Sequence, residues 1–363
     1  MSEFPPGELT IGLMSGTSLD GVDGVLARFD AGGRAEVLAH VALPMPDGLR
    51  AELLALNRPG GENELHRAAL AGNALADLYT EAVAALPRGA KVVGAHGQTV
   101  RHRPELGYTL QLLNGARLAE RCGLDVVADL RSRDVAAGGQ GAPLVPAFHR
   151  AQFGRVDADV AVLNLGGMAN LSLLPSKGVT RGFDTGPGNV LLDLWYQRCQ
   201  GASYDAGGAW AAQGQVLPDL LDRLLSEPWL ALPPPKSTGR DLFDAPWLEA
   251  RLGPGLSAVD VQATLSEFSA RTVAEALIAH MPAASELIVC GGGAYNSDLL
   301  RRLERLLPAC TLLSSEVRGL PPLQVEAAAF AWLAQRFVQA LPGNLPEVTG
   351  AAGLRRLGAW YPA

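Results

Sequence analysis

The sequence predicts an α/β protein of two similar domains around a central cleft. The chain has 363 residues, more than the roughly 250–300 at which a single core stops growing. Its hydrophobic content of 48% is enough for large cores. Three β-type runs followed by alternating helical and β-type segments occur twice, and a glycine-bearing turn stands at the same place in each half. A duplicated βββαβαβα arrangement follows from these observations.

In the first half, runs of apolar and β-branched residues predict strands, and apolar residues three and four positions apart predict helices. The expected elements are strands 9–14, 22–29 and 35–43, helices 49–56 and 65–86, strand 91–95, helix 115–121 and strand 124–128.

The second half repeats this order with one more long helix. Its expected elements are strands 160–165, 169–174 and 179–183, helices 190–199 and 265–281, strand 286–290, helix 298–307, strand 310–313 and helix 324–341. We place the domain boundary just ahead of the second set of strands. Residues 1–156 then form the first domain and 157–344 the second, with the tail 345–363 expected to complete the first.

Charge and cysteine content argue against several classes of protein. The net charge is −7 and no run of Lys or Arg forms a basic stripe, so we expect no nucleic-acid partner. The four cysteines are widely spaced without a C-x-x-C pair, which disfavours a zinc site and a disulfide framework. Neither a signal-peptide pattern nor an apolar run of 18 residues is present, so we expect a cytoplasmic protein without membrane contact.

The segment 11–26, IGLMSGTSLDGVDGVL, predicts two strands joined by a turn of the size that binds phosphate. Glycines permit close backbone approach, hydroxyls donate hydrogen bonds, and the two aspartates can act on water or on a hydrated metal ion. An ordinary surface turn is the alternative. The candidate nucleotide-binding residues of this turn are Gly16, Thr17, Ser18, Leu19, Asp20, Gly21, Val22 and Asp23, of which Asp20 and Asp23 are also candidate metal contacts through water.

Two further glycine-bearing turns follow strands, at 164–170 (NLGGMAN) and 290–296 (CGGGAYN). Backbone N–H groups at such turns favour anions and allow close approach to a flat base. Neither turn has the G-x-G-x-x-G spacing of the dinucleotide fingerprint or the spacing of a P-loop. The candidate nucleotide-binding residues here are Asn164, Gly166, Gly167, Asn170, Gly291, Gly292, Gly293 and Asn296.

Eight motifs stand between residues 11 and 334, namely GLMSGTSLDGVDG, HGQTVRH, GGQGAPLVPAFH, NLGGMAN, GFDTGPGN, KSTGRDLF, CGGGAYN and VEAAAFAWLA. Together they resemble the anhydro-N-acetylmuramic acid kinase family, a member of the sugar kinase, Hsp70 and actin superfamily. The chain departs from the family pattern at Leu113, where glycine is usual, and at Asp241, where glutamate is usual.

The resemblance implies an actin-like ATPase fold, ATP and Mg²⁺ as cofactors, and a homodimer in the cytoplasm. It also implies a reaction of peptidoglycan recycling, in which 1,6-anhydro-N-acetylmuramic acid, ATP and water give N-acetylmuramic acid 6-phosphate and ADP. A sugar kinase with another substrate and a non-catalytic ATP-driven binding module are the alternatives.

That reaction requires a carboxylate that deprotonates water as it attacks the anomeric carbon. We choose Asp184, which follows a strand on the Gly/Pro turn GFDTGPGN, and the resemblance implies the same role. A helix N-cap or turn residue is the alternative. Glu326 begins an apolar helix and is a second candidate, to orient water or sugar, although a first-turn glutamate is ordinary helix chemistry.

Polar residues after two strands of the first half are candidate sugar contacts, because α/β proteins bind ligands at strand ends. The arginine suits the lactyl carboxylate, since its planar fork binds carboxylates with two hydrogen bonds. An ion pair with the neighbouring aspartate is an equal alternative. The candidates are His96, Gln98, Thr99, Arg131 and Asp134.

Overall fold

The computed structural model describes residues 7–16, 19–239 and 242–363. The chain divides into two compact units, one of Met1–Gln152 with Leu323–Ala363 and one of Phe153–Pro322. Each unit is a mixed α/β structure, so the predicted fold class is confirmed. Within the described ranges, no helix is both long enough and apolar enough to cross a bilayer.

The helices and strands are numbered in chain order. They begin with β1 (Thr10–Met14), β2 (Gly21–Phe29), β3 (Ala35–Pro44), α1 (Asp47–Leu56), α2 (Glu64–Ala85), β4 (Val92–Ala95), β5 (Gln98–Arg103), β6 (Tyr108–Leu112), α3 (Gly115–Cys122), β7 (Asp125–Ala128), α4 (Ser132–Ala136) and α5 (Val145–Phe153). They continue with β8 (Val160–Leu165), β9 (Met168–Leu174), β10 (Arg181–Pro187), α6 (Val190–Gln200), α7 (Pro218–Leu225), α8 (Ala245–Glu249), α9 (Ala258–His280), β11 (Glu286–Cys290), α10 (Ser297–Leu306) and β12 (Thr311–Ser314). The last are α11 (Val325–Val338), α12 (Pro346–Thr349) and β13 (Ala359–Tyr361).

The two main sheets share a five-strand topology, to which the first sheet adds β13 at its edge. In the first unit the strand order is β13-β7-β4-β1-β2-β3, and in the second it is β10-β9-β8-β11-β12. Each sheet has an antiparallel set of three strands whose first member pairs in parallel with a later strand. The predicted repeat of three strands followed by alternating elements is therefore present in both units.

Helices cover one face of each sheet and form its core. In the first unit, Leu75 and Tyr79 of α2 belong to a buried cluster with Leu13 of β1. In the second unit, Val273 of α9 belongs to the equivalent cluster with Leu171 of β9. Burial of such side chains is the main source of stability for both sheets.

Helix α11 packs on the other face of the first sheet at very short range. Gly12 and Gly94 are neighbours on β1 and β4, and a Cβ at Gly94 would lie 2.1 Å from the carbonyl oxygen of Phe330. A Cβ at Gly12 would lie 1.9 Å from the carbonyl oxygen of Ala327. The helix backbone therefore rests directly on the strands, which is possible only because both positions are glycine.

The division into units differs from the one drawn from the sequence. The sequence-based division put residues 157–344 in one domain, whereas α11 packs on β1 and β4 of the first unit. Strand β13, in the tail that was expected to complete the first domain, does pair with β7 of that unit. The apolar pattern of α11 marks a buried helix but carries no information about which sheet covers it. The hairpin β5–β6 and the helices α4, α5, α7, α8 and α12 were not expected either.

We expect Gly94→Ala to lower the free energy of unfolding by about 1–3 kcal/mol, because the added methyl group meets helix backbone that has no room to move. Urea denaturation measures the change. Gly48→Ala is the control, since a Cβ at this position in α1 meets no atom within 4 Å and alanine favours the helix. Equal denaturation midpoints for wild type and Gly94→Ala would contradict this packing.

Candidate functional site

Three polar residues form a row across the sheet of the second unit. Asp184 on β10 is paired with Asn170 on β9, and Asn170 is paired with Asn164 on β8. Directly paired residues of neighbouring strands point to the same face of a sheet. This face is opposite to the one that packs on α9, because the alternate residues Leu163 and Leu171 belong to that core.

The carboxylate of Asp184 is held by a segment that the sequence analysis did not single out. The Asp184 N–H donates to the carbonyl oxygen of Lys236 at 3.0 Å, and the Thr238 N–H donates to Asp184 Oδ2 at 2.9 Å. A β-bulge follows between Asp184 and Gly186. The KSTG sequence at 236–239, part of a motif quoted above, was the available signal for this contact.

The surroundings of Asp184 change its acidity. Burial raises the pKa of Asp184 to about 6, while the Thr238 N–H and the charge of Lys236 act in the opposite direction. The carboxylate is therefore ionised at neutral pH, yet it is a better proton acceptor than an ordinary aspartate. Asp184 lies inside β10, and the N-cap of α6 is Asn189. The helix-cap alternative for Asp184 is therefore excluded.

The turn at Gly166 and Gly167 joins β8 to β9 and is bound to the start of α6. The Gly166 carbonyl accepts from the Asn189 N–H at 2.9 Å, and the Gly167 carbonyl accepts from the Gly188 N–H at 2.9 Å. A Cβ at Gly188 would lie 2.5 Å from the Gly166 oxygen. Two backbone hydrogen bonds and a close backbone contact therefore join this turn to the start of α6.

The turn after β11 contains an open position. A Cβ at Gly292 would meet no protein atom within 4 Å, whereas one at Gly293 would lie 2.6 Å from the Leu165 side chain. Asn296 caps α10, since its Oδ1 accepts from the Leu299 N–H at 3.1 Å. Of these residues, Gly292 is the one that leaves space for a ligand, while Asn296 has a structural task.

In the first unit, the turn between β1 and β2 is built on a buried leucine. The Leu19 N–H donates to the Gly16 carbonyl at 3.1 Å, and Leu19 has the left-handed φ of 58°. Its side chain is buried in the core, as is that of Val22. A left-handed backbone at a non-glycine residue is uncommon and is often found at functional turns. Thr17 and Ser18 lie outside the described residues.

The two candidate metal contacts in this turn differ in their surroundings. Asp20 is exposed, whereas Asp23 Oδ1 lies 3.0 Å from His40 Nε2. Within the ranges the structure describes, no three His, Cys, Asp or Glu side chains are grouped as a metal site. Carboxylate oxygens are the ligand type Mg²⁺ prefers, and Mg²⁺ commonly keeps several waters. Asp20 therefore fits a water-mediated contact better than Asp23.

Buried His96 pairs with half-buried Arg131 at the carboxyl end of the first sheet. Arg131 Nη2 lies 2.9 Å from His96 Nε2, and His96 Nδ1 lies 2.9 Å from the Ser15 carbonyl oxygen. A guanidinium only donates and a carbonyl only accepts, so His96 carries its proton on Nδ1. Burial and the charge of Arg131 lower the pKa of His96 to about 3, which keeps the imidazole neutral.

Arg131 is a half-buried side chain that carries a positive charge. Burial lowers the pKa of Arg131 to about 10, and the carboxylates of Glu326 and Asp134 oppose this. Its Nη1 donates to the Gly141 carbonyl at 2.9 Å. Glu326 lies in the first turn of α11, so the packing of α11 on the sheet brings its charge near Arg131. One region of the first unit thus contains Arg131, His96 and Glu326.

Asp134 was expected to contact the sugar, and the structure assigns its carboxylate to another task. Asp134 is fully buried and accepts hydrogen bonds from the Gly141 N–H, Asn344 Nδ2 and Thr349 Oγ1, each at 2.8 Å. The expected alternative, an ion pair with Arg131, is not formed within 4 Å in the described part of the chain. Asp134 instead connects the loop at Gly141 to Asn344 and to Thr349 of α12.

Gln98 and Thr99 begin β5 beside this region. Gln98 is buried, and no donor from the described residues reaches its Oε1. Thr99 Oγ1 accepts from Gln111 Nε2 at 3.2 Å. A buried amide oxygen without a partner is costly, so Gln98 fits a residue that bonds to a ligand.

A comparison with protein families matches residues 8–363 to the model described as anhydro-N-acetylmuramic acid kinase. The chain is 60% identical to the protein of that name from Bordetella petrii, across 99% of this chain and 97% of the relative. It is 58% identical to the one from Variovorax paradoxus, across 98% and 100%. Among solved structures it is similar to an activator of 2-hydroxyisocaproyl-CoA dehydratase from Clostridium difficile, with 14% identity, coverage of 92% and 96% and a TM-score of 0.44.

The raised pKa of Asp184 predicts a pH-dependent effect of Asp184→Asn on stability. Below about pH 4, the pKa of this carboxyl in the unfolded chain, the group is protonated in both the folded and the unfolded protein. As the pH rises from there through about 6, its ionisation destabilises the folded protein. Asparagine keeps an acceptor for the Thr238 N–H without a charge. We expect the substitution to raise the free energy of unfolding by about 1–3 kcal/mol more at pH 8 than at pH 4.

Urea denaturation at the two pH values measures this difference. Asp222→Asn, which replaces an exposed carboxylate on α7, is the matched control. The same effect of Asp184→Asn at pH 4 and pH 8 would contradict the buried, destabilised carboxylate.

Proposed function

The chain belongs to the anhydro-N-acetylmuramic acid kinase family, and we propose that it is the enzyme that converts 1,6-anhydro-N-acetylmuramic acid to N-acetylmuramic acid 6-phosphate. The observation that carries the mechanism is the desolvated carboxylate of Asp184, with its pKa near 6. The relatives' shared name favours this substrate over the two alternatives raised from the sequence.

The reaction joins a hydrolysis to a phosphoryl transfer. Asp184 accepts a proton from a water molecule, whose oxygen forms a bond to C1 of the sugar. The bond between C1 and O6 breaks, and O6 forms a bond to the γ-phosphorus of ATP while the bond to the β,γ-bridging oxygen breaks. ADP carries away the leaving electron pair. Because phosphorus captures O6, a second carboxylic acid is not required to protonate it.

The first unit supplies the sugar contacts in this proposal. Arg131, a half-buried cation with a planar fork, binds the lactyl carboxylate, and neutral His96 fixes the orientation of that fork. The Gln98 amide and the Thr99 hydroxyl bond to sugar hydroxyls, which gives the unpartnered Gln98 oxygen a donor. Glu326 orients the sugar or the water from the first turn of α11.

The three glycine-bearing turns bind ATP in this proposal. The turns at 16–23 and 164–170 contact the phosphates, and Gly292 leaves room for the adenosine. Asp20 would contact Mg²⁺ through a bound water, and the ion, held mainly by phosphate oxygens and water, would neutralise charge on the transferred phosphoryl group. We further propose that the enzyme is a cytoplasmic homodimer that acts in peptidoglycan recycling.

The test of the activity is direct product analysis. The protein is incubated with 1,6-anhydro-N-acetylmuramic acid and MgATP, and the products are measured by mass spectrometry. We expect one N-acetylmuramic acid 6-phosphate for each ADP. ADP formation that the sugar does not stimulate would overturn the proposed function and would favour an ATP-driven binding module.

Asp184→Asn should lower kcat by roughly 10²- to 10⁴-fold, which is the usual effect of removing a positioned general base. ATP binding, measured by calorimetry, should stay near the wild-type affinity because Asp184 is assigned to the water. Near-normal turnover by the folded variant would remove Asp184 from the mechanism.

Gly292→Ala should weaken ATP binding without a comparable loss of sugar binding, because the added methyl group meets no protein atom and occupies only the space assigned to adenosine. Calorimetry with each ligand separates the two effects. Gly48→Ala again serves as the control, and Gly16→Ala and Gly166→Ala test the phosphate turns in the same way. Unchanged ATP affinity in all three turn variants would contradict the proposed nucleotide site.

A further inference from the structure

A short segment of the second unit runs beside the Asp184 position of β10. Lys236 and Thr238 each use a backbone group there, the Lys236 carbonyl and the Thr238 N–H. The Lys236 side chain bonds through Nζ to the Leu230 carbonyl oxygen at 2.7 Å. Its ammonium lies 4.5 Å from the centre of the Trp229 ring. Both the backbone and the side-chain ammonium group of Lys236 are therefore fixed by contacts.

We propose that Lys236 is a positioning residue for Asp184, one that anchors residues 236–238 against β10 and keeps a fixed positive charge near the carboxylate. The proposal rests on the proposed function, in which Asp184 accepts the proton of the attacking water. A cation over an aromatic ring, with a carbonyl bonded to its Nζ, has a defined position. Lys236 thus favours the ionised carboxylate that the reaction needs.

The charged groups around Asp184 identify Lys236 as the cation that acts on it. The charge of Lys236 lowers the Asp184 pKa against the effect of burial. Burial lowers the pKa of Lys236, and the charge of Asp184 opposes this shift. On α9, the His280 ring packs on Phe183 at 5.0 Å, and burial lowers the pKa of His280, to which the charges of Arg181 and Lys236 add. Arg181 is exposed at the start of β10 and bonds to the His280 carbonyl oxygen. Asn170, the strand neighbour of Asp184, is neutral.

Burial and the lysine have opposite effects, and the chemistry uses both. Burial alone would move the Asp184 pKa further upward and leave part of the protein without a base at neutral pH. The nearby charge limits that rise, so the carboxylate stays ionised and still accepts a proton well. Loss of the lysine charge therefore changes the pH at which the base forms.

Three substitutions separate the charge of Lys236 from its anchoring contacts. Lys236→Met keeps an apolar stem over Trp229 and removes both charge and donor. Lys236→Gln removes the charge and keeps a donor for the Leu230 carbonyl. Lys236→Arg keeps a cation. Lys177→Met removes an exposed lysine of the same unit and is the matched control.

The first measurement is the Asp184 pKa by ¹³C NMR on aspartate-labelled protein, with the signal assigned by its loss in Asp184→Asn. We expect a rise of about one pH unit in Lys236→Met and in Lys236→Gln, and wild-type values in Lys236→Arg and Lys177→Met. If Lys236→Met does not fold, Lys236→Gln decides the question. An unchanged Asp184 pKa in the neutral variants overturns the proposal.

The second measurement is the pH profile of kcat/KM for the sugar. Its acidic limb should move upward with the Asp184 pKa in the two neutral variants and return in Lys236→Arg. A raised KM for ATP at every pH, with no shift of that limb, would mean that Lys236 contacts phosphate instead and would also overturn the proposal. The NMR titration needs no turnover, so it tests Lys236 even if the proposed substrate is wrong.

Discussion

The partial removal of the Asp184 carboxylate from water is the constraint on which the chemistry proposed for the second unit depends. A partly buried carboxylate has an unfavourable solvation energy, and two neighbours limit it here, the Thr238 N–H and the Lys236 charge. Both come from one segment that also bonds to the Asp184 backbone. These contacts limit the cost of burial, and they leave the proposed base with a pKa of about 6, which suits proton transfer near neutral pH.

Close backbone contact places the other candidate residues. In the first unit, α11 lies directly on β1 and β4 because Gly94 has no side chain, and its first turn therefore carries Glu326 toward Arg131. In the second unit, Gly188 lets the start of α6 bond to the turn at Gly166. Small residues at these contacts thus set where the charged and polar groups lie, although they take no part in the chemistry themselves.

Periodicity and motifs predicted the duplicated sheets and the strands that carry the turns, because apolar alternation records burial directly. Asp184 was singled out from its motif, but its bonds to residues 236–238 were not, since a contact across about 50 residues leaves no periodic signal. Asp134 was predicted to contact the sugar because the sequence does not show that three hydrogen-bond donors surround its carboxylate. The sequence also did not show on which sheet α11 packs, because this contact too joins residues that are far apart in the chain.

The position of the water-derived oxygen in the products tests most directly whether water attacks the anomeric carbon of the sugar. A reaction run in ¹⁸O-water with 1,6-anhydro-N-acetylmuramic acid and MgATP is stopped early, and the product is fragmented in a mass spectrometer. If Asp184 directs water to the anomeric carbon, one ¹⁸O atom appears on the sugar fragment and none on the phosphoryl group. Label in inorganic phosphate with an unlabelled sugar would mean that water attacks ATP, and it would contradict the account.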